Sequence, residues 1–252
     1  MKILLTNDDG LHAPGIEVFG RVVPRFGDLW VVAPHEERSG ASHALTMNEP
    51  LRVLDHGPQR YASTGTPVDC VYLAIHSIIG GMPDLVLSGI NKGANLGDDV
   101  LYSGTVGAAR EAALNDLPAL AVSLATTGKG TELHFDAAGE IAARVIAALI
   151  KDPLPPGVFL NLNVPNLPLN ELQGIKVCGL GRRHYTPLVE ERHDPRHKPY
   201  YWIGGEPLGA GMGEGTDGWW VSRGYASLTP LGLDATQSDQ LQRLSNWTLS
   251  KG

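Results

Sequence analysis

The sequence is poor in cysteine, with two in 252 residues. Cys70 and Cys178 lie far apart and match no metal-ligand spacing, which argues against a cysteine-ligated metal site. Each lies in an apolar context typical of a buried free thiol. This use of cysteine fits a reducing compartment, and we expect the cytoplasm.

Long hydrophobic runs and an excess of basic residues are also missing. No stretch approaches the ~20 consecutive apolar residues of a membrane span, and the apolar run near the N-terminus is too short for a signal peptide. Asp and Glu (27) outnumber Lys and Arg (20), giving a net charge of −7. We therefore expect no membrane insertion and no binding of nucleic acid duplexes through a basic surface. A small phosphorylated ligand in a local pocket is still compatible with this charge.

Up to about residue 165, short apolar runs alternate with segments that have helical signals. Thr66 and Pro67 have the pattern of an N-cap and a first helical residue, and apolar side chains repeat at helical spacing over residues 136–151. Alternation of this kind predicts an α/β fold of Rossmann-like type, with a mostly parallel sheet and helices on both faces. The predicted strands are Ile3–Leu5, Leu29–Ala33, Leu85–Leu87, Pro118–Leu124 and Val158–Leu162.

Two segments depart from the alternation. Residues 46–63 have the pattern of a small β-hairpin or edge pair. Residues 182–218 show no clear periodicity but contain the aromatic clusters Tyr200–Trp202 and Trp219–Trp220, which predict contact with a partner subunit. Folding back of these aromatics onto the core is the alternative. We expect a catalytic core over residues 1–180, an extended oligomerisation arm over 181–230, and a strand and helix over 231–252 that return to the core.

Three polar loops follow predicted strands, and ligands of open parallel sheets bind at the carboxyl ends of the strands. The first loop contains Asp8 and Asp9, whose adjacent carboxylates favour a hard cation as neutraliser. The second contributes the Ser39 hydroxyl, and the third contributes the Asn91 amide oxygen. Together they predict an all-oxygen site for a hard divalent cation, which could be Mg²⁺, Mn²⁺ or Ca²⁺. Taken singly, each loop is compatible with an ordinary turn.

The third loop continues into Ser103-Gly104-Thr105, which precedes a helical stretch. Backbone N–H groups at the start of a helix form a favourable phosphate site. The glycine-rich segment before it is neither a Walker A loop nor a GxGxxG dinucleotide fingerprint. The sequence therefore predicts a phosphate pocket beside the cation site without specifying the rest of the ligand.

Several motifs resemble those of the SurE family, the stationary-phase survival proteins. They are NDDG-x-x-APG at 7–15, RSGAS at 38–42, GTP-x-DC at 65–70, SGIN-x-G-x-NLG-DD at 88–99 and YSGT at 102–105. Segments at 160–165, 201–204 and 215–217 are similar to the family as well, so the resemblance covers nearly the whole chain.

The resemblance implies a metal-dependent phosphatase that hydrolyses nucleoside 5′-monophosphates; whether 3′-nucleotides or short polyphosphate are further substrates stays open. It implies one divalent cation per subunit, held by Asp8, Asp9, Ser39 and Asn91, with the two carboxylates as the catalytic pair. It also implies a homodimer or a dimer of dimers, formed through the C-terminal arm. The implied phosphate-binding residues are Asn95, Ser103, Gly104 and Thr105.

Two other functions compete with this one. In the first, Asp8 acts as a covalent nucleophile, as in haloacid-dehalogenase-like phosphatases; position 10 is Gly rather than the second Asp of their motif, which argues against it. In the second, the protein binds nucleotides without catalysis, although the intact set of oxygen ligands argues against an inactive site. Trapping an aspartyl-phosphate tests the first alternative, and phosphate release with and without chelator tests the second.

Overall fold

The computed structural model describes residues 1–126, 132–205, 207–208 and 213–247. A nine-stranded mixed sheet forms its centre, in the order β3-β4-β2-β1-β5-β6-β7-β13-β8. Six neighbouring strands, from β4 to β7 in this order, are parallel. The strands of this sheet are β1 (Lys2–Thr6), β2 (Asp28–Pro34), β3 (Val53–Asp55), β4 (Arg60–Ser63), β5 (Leu85–Lys92), β6 (Ala119–Ala125), β7 (Val158–Pro165), β8 (Ile175–Val177) and β13 (Ala226–Gly232).

Helices cover both faces of the sheet, as predicted. Helices α1 (Pro14–Val22) and α4 (Phe135–Lys151) pack on one face, and α2 (Pro67–Leu73) and α3 (Gly104–Leu114) pack on the other. Thr66 caps α2 through a reciprocal capping box with Asp69, which confirms the predicted helix start. A π-helical turn follows α2. Within the described ranges, no helix combines the length and the apolar character that crossing a membrane requires.

The strand order reverses between β1 and β5. The chain builds β2 and β4 on one side of β1, and then crosses to build β5, β6 and β7 on the other side. In open α/β sheets a crevice forms at this reversal, beyond the carboxyl ends of the strands. The fold therefore places the residues that follow β1 and β5 beside each other. β5 itself runs to Lys92, so the segment from Ser88, which we expected to be loop, continues the strand with a register irregularity.

Residues 182–218 are more regular than their sequence suggests. Strands β10 (Leu188–His193) and β11 (Pro199–Gly204) form an antiparallel hairpin that is a separate two-stranded sheet. Short strands β9 (His184–Tyr185) and β12 (Pro207–Leu208) pair at its base. Alternation is hidden in the sequence because both faces of the hairpin are exposed, so no apolar face repeats with a period of two.

The remaining C-terminal elements divide between core and surface. Helix α5 (Asp217–Val221) packs against β13 and β7, and Trp219 and Trp220 are partly buried in the single chain, so their contact with a partner stays a prediction. β13 lies in the sheet next to β7, although its first residues fall within the range 181–230 expected for the arm. Helix α6 (Ser238–Ser245) buries none of its residues.

Candidate active site

Hydrogen bonds join the three predicted loops at the reversal point. The Arg38 amide donates to the Asp8 carbonyl oxygen at 2.8 Å, which links the second loop to the first. The Ser42 amide donates to the Tyr102 carbonyl oxygen at 3.0 Å, which links the second to the third. The Lys92 amide donates to Asp9 Oδ2 at 3.0 Å and closes the ring. The loops therefore form one connected structure.

A cleft of about 450 Å³ opens between these loops. Five of the residues expected to bind metal or phosphate line this cleft. Four of them come from the loops, and Asn91 comes from the end of β5. Asp9 lines a neighbouring cavity of about 370 Å³, and Lys92 lines both cavities. The expected residues that line the larger cleft are Asp8, Ser39, Asn91, Asn95 and Ser103.

Asp8 is buried at the N-terminus of α3. Its Oδ1 accepts from Thr105 Oγ1 at 2.5 Å and its Oδ2 accepts from the Thr105 amide at 3.1 Å. Thr105, which we expected in the phosphate pocket, therefore directs both donors at this carboxylate instead. A Cβ on Gly104 would lie 3.0 Å from the Asp8 Cβ, so glycine allows the helix to approach this closely. The helix start holds the carboxylate in place.

Without a bound cation, burial disfavours the ionised form of both carboxylates. Desolvation raises the pKa of Asp8, although the bonds from Thr105 oppose this. Desolvation also raises the pKa of Asp9 to about 6, with the negative charges of Asp8 and Glu37 adding to the effect. A cation between the two would remove this penalty. The chemistry of the donors fits a hard divalent ion, since all four expected ligands offer oxygen.

Asn91 and Ser39, the expected neutral ligands, each keep an oxygen that is available to accept. Asn91 donates its Nδ2 to the Gly93 carbonyl oxygen at 2.9 Å, which leaves its Oδ1 for a ligand. The Ser39 hydroxyl donates to Glu37 Oε1 at 2.7 Å and keeps its lone pairs. The described residues contain no group of three His, Cys, Asp or Glu side chains that could hold a metal. The serine and the amide are therefore needed to complete a cation site here.

Asn95 is held by a polar layer that the sequence motifs did not reveal. Its amide donates to Asn163 Oδ1 at 2.8 Å, and its carbonyl oxygen accepts from the side chains of Asn161 and Asn163 at 2.9 and 3.0 Å. Its own Nδ2 donates to Ser123 Oγ at 2.7 Å. Asn161 and Asn163 are fully buried on β7, where alternating polar residues in an apolar strand were the available signal.

A second unpredicted residue is Asp217, which is almost fully buried at the start of α5. Its Oδ2 accepts from the Gly97 amide and its Oδ1 accepts from the Gly181 amide, both at 2.8 Å. Gly97 has a φ of +53°, and a Cβ there would meet the Gly181 carbonyl oxygen at 2.9 Å. Asp217 therefore fastens the base of the arm to the loop that carries Asn95.

Comparison with known proteins identifies the family. Residues 3–187 match the model of the family described as Survival protein SurE. The chain belongs to the SurE family. A SurE relative from Geobacter metallireducens, named 5'-nucleotidase SurE, is 48% identical over 251 residues and is covered over 99% of its length. Another with the same name, from Legionella pneumophila, is 46% identical over 98% of this chain and 96% of its own.

A solved structure of the SurE family matches the fold as well. The crystal structure of the SurE protein from Aquifex aeolicus superposes with a TM-score of 0.85 at 39% identity, covering 96% of this chain and 98% of that one. The expected resemblance to the SurE family and the α/β fold are thus confirmed. The family model includes all three loops and the base of the arm and ends at residue 187.

The raised pKa of Asp9 has a testable effect on stability. Between pH 4 and pH 6 the folded protein holds a proton that the unfolded chain releases, so its stability falls as the pH rises. In metal-free protein, Asp9→Asn should raise the free energy of unfolding at pH 7.5 by about 1–2 kcal/mol, and should have little effect at pH 4. Urea unfolding with chelator at both pH values measures this. An equal effect at both would contradict the burial argument.

Proposed function

We propose that this chain is a metal-dependent 5′-nucleotidase that hydrolyses nucleoside 5′-monophosphates to nucleoside and phosphate. The observation that carries the proposal is the cleft at the reversal point, where the buried carboxylate of Asp8 lies beside amide and hydroxyl groups that suit phosphate, with Asp9 partly buried in the adjoining cavity. The name shared by full-length relatives at 46–48% identity supports the same activity. We further propose Asp8, Asp9, Ser39 and Asn91 as ligands of one Mg²⁺ or Mn²⁺ ion.

Such an ion would neutralise phosphoryl oxygens and lower the pKa of a water molecule. The residues of the chain would hold the substrate. Asn95 is fixed by β6 and β7, so its amide is already ordered before phosphate arrives. Ser103 caps α3 by accepting from the Val106 amide, which leaves its hydroxyl proton for the cleft. Gly104 begins the helix and has an N–H without a partner inside it.

In this proposal Thr105 does not contact the substrate and acts by holding Asp8. Both of its donors hold Asp8 in a single orientation, at a carboxylate that is almost fully buried. Each Asp8 oxygen accepts one hydrogen bond from Thr105 and keeps a lone pair, as both a metal ligand and a nucleophile require. Gly10, which stands where dehalogenase-like phosphatases have their second Asp, argues for the ligand role.

The decisive experiment measures phosphate release from a panel of substrates. The panel contains 5′-AMP, 5′-GMP, 5′-CMP, 5′-UMP, 3′-AMP and short polyphosphate, each with Mg²⁺, with Mn²⁺ and with chelator. Turnover of 5′-nucleotides that chelator abolishes and added cation restores is the expected result. Nucleotide binding without turnover would support the non-catalytic alternative.

The neutral ligands should matter less for charge than for geometry. Ser39→Ala should weaken Mn²⁺ binding by about three- to tenfold, and Asn91→Ala by at least as much, since each removes one uncharged partner. Calorimetric titration with Mn²⁺ measures both. The Asn91 variant also loses the bond to Gly93, so Asn91→Asp, which keeps an oxygen ligand, is the matched comparison. Unchanged affinity in both alanine variants would show that the cation lies elsewhere.

The phosphate pocket should affect turnover without affecting the metal. Asn95→Ala and Ser103→Ala should each lower kcat by about 100-fold, the cost typical of a lost donor to transition-state charge. Mn²⁺ affinity should change little. Ser103→Ala also removes a helix cap, worth about 1 kcal/mol. Thr66→Ala removes the cap of α2 and is the control for this loss of stability. A variant that loses the metal but keeps phosphate affinity would reverse the assignment.

We also propose a homodimer or a dimer of dimers assembled through the hairpin of β10 and β11. The hairpin is a two-stranded sheet apart from the central one, and such a hairpin is marginally stable alone in water. Its exposed side chains include Trp202 at 60% and Ile203 at 88% of their accessible surface. Burial against a second copy would supply the missing contacts.

The free thiols of Cys70 and Cys178 support the proposed cytoplasmic location.

A further inference from the structure

The cleft that contains Asp8 is wider than a phosphate group requires. Its volume of about 450 Å³ is within the range of pockets that hold a whole small ligand. The polar groups proposed for the ion and the phosphate come from the segments that follow β1, β2 and β5, from the end of β5 and from the start of α3. The lining also includes Tyr185, from the base of the arm, and Asp99, to which the Tyr185 hydroxyl donates. The part of a substrate that extends beyond its phosphate can therefore meet an aromatic ring.

The ring of Tyr185 is held from two directions. Its hydroxyl donates to Asp99 Oδ2 at 2.7 Å. The guanidinium carbon of Arg183 lies 5.4 Å from the ring centroid, and Arg183 Nη1 donates to the same Asp99 oxygen at 2.5 Å. Asp99 thus holds the hydroxyl edge of the ring, and the guanidinium of Arg183 lies beside the ring. The residue is still 43% exposed.

A fixed ring with open surface is suited to stacking. Planar heterocycles stack on tyrosine, and the attraction depends little on which base is presented, since every nucleobase has a π-face. The arginine beside Tyr185 adds to this platform, because guanidinium groups also favour aromatic surroundings. Burial, with the bond to Asp99, raises the pKa of Tyr185 to about 12, so the phenol stays neutral and keeps donating at neutral pH.

We propose that Tyr185 is the platform on which the base of the nucleotide stacks, positioned by Asp99 and Arg183. This assignment rests on the proposed 5′-nucleotidase function and adds a determinant of substrate recognition to it. It gives the arm base a direct part in the site, since β9 brings the ring to the cleft while Asp217 fastens Gly181 to the loop before Asp99. Stacking predicts broad acceptance of bases, with purines preferred for their larger area.

The test compares a substrate that has a base with one that lacks it. Tyr185→Ala should lower kcat/KM for 5′-AMP by about tenfold, mainly through KM, the factor that one lost base stack accounts for. For ribose 5-phosphate, which has the same phosphate and sugar but no base, kcat/KM should stay within about twofold. Retained turnover of ribose 5-phosphate also shows that the variant is folded.

Two further variants serve as controls. One distinguishes the effect of the Tyr185 ring from that of its hydroxyl, and the other tests whether loss of any exposed tyrosine has the same effect. Tyr185→Phe keeps the ring and loses the bond to Asp99, so it should cost 5′-AMP only about two- to threefold. Tyr72→Ala removes a tyrosine of similar exposure (44%) on α2, where it packs on His76, and should change neither substrate.

The outcomes distinguish failure of this inference from failure of the function. If the unmodified protein releases phosphate from neither 5′-AMP nor ribose 5-phosphate, the proposed function is wrong. If it hydrolyses both, and Tyr185→Ala lowers both equally, the base platform is overturned while the function stands. A Phe variant as impaired on 5′-AMP as the Ala variant would overturn the stacking role, since the hydroxyl alone would then matter.

Discussion

Replacing Asp8 by asparagine should reduce phosphate release from 5′-AMP by at least about 1000-fold at low cation concentration, and Asp9→Asn should come close to this. Each change removes one of two negative charges from the proposed cation site with little change in volume. In the Asp8→Asn variant the amide oxygen can accept from the Thr105 N–H and the Nδ2 can donate to Thr105 Oγ1, so the start of α3 should keep its structure. Turnover with a titration of Mn²⁺, together with Mn²⁺ affinity by calorimetry, measures the effect.

The matched control is Asp116→Asn, an exposed aspartate in the loop before β6. Its φ of +57° suits asparagine equally well, so both stability and turnover should be unchanged. Near-normal turnover of Asp8→Asn or Asp9→Asn at low cation would refute the ligand assignment. Rapid quenching during turnover tests the competing mechanism, because a phosphorylated Asp8 in the unmodified protein would identify a nucleophile.

Removing the hairpin should convert the oligomer into monomers. Thr186 and Gly205 adjoin across its base, where a Cβ on Gly205 would lie 2.2 Å from the Thr186 carbonyl oxygen. A short Gly-Ser linker can therefore replace residues 188–204 without straining the pairing of β9 with β12. Light scattering at micromolar concentration should give at least a dimer for the full chain and a monomer for the deletion. The deletion keeps the cleft, including Tyr185.

A point variant makes the same test without shortening the chain. Trp202→Ser with Ile203→Ser places two polar groups at the most exposed part of β11 and should weaken association by about 100-fold, as expected when central apolar anchors are lost. Met82→Ser, at a half-exposed residue outside the hairpin, is the control and should leave the oligomer intact. A full chain that runs as a monomer at micromolar concentration would refute the interface.

Much of the fold was predictable because it depends on local patterns. Short apolar runs bounded by turn residues marked five of the six central parallel strands, and a capping sequence marked the start of α2 at Thr66. The position of Asp8 and Asp9 directly after β1 followed from the same patterns. A parallel sheet aligns the carboxyl ends of its strands, so residues after separate strands were expected to meet. The resemblance to the SurE family added the choice of substrate, which no spacing supplied.

What the sequence did not determine depends on contacts between distant segments. The bonds of Thr105 to Asp8 and the clamp of Asn161 and Asn163 on Asn95 join residues 66 to 97 positions apart. The sequence shows that β7 contains Asn161 and Asn163, but only the strand order shows that they lie beneath the loop that carries Asn95. The partial burial of Trp219 and Trp220 also depends on tertiary contacts, because it follows from the packing of α5 against β13 and β7.

The sequence by itself determined the order of five central strands, the position of Asp8 and Asp9 after the first of them, and the family. Local propensities and hydrophobic periodicity carry that information along the chain. Only the tertiary structure decided which donors of the polar loops face the cleft and which support it, and that the arm base brings Tyr185 to its edge. Hydrogen bonds such as those of Asp217 to Gly97 and Gly181 exist only after the sheet has formed, since packing alone brings these groups within bonding distance.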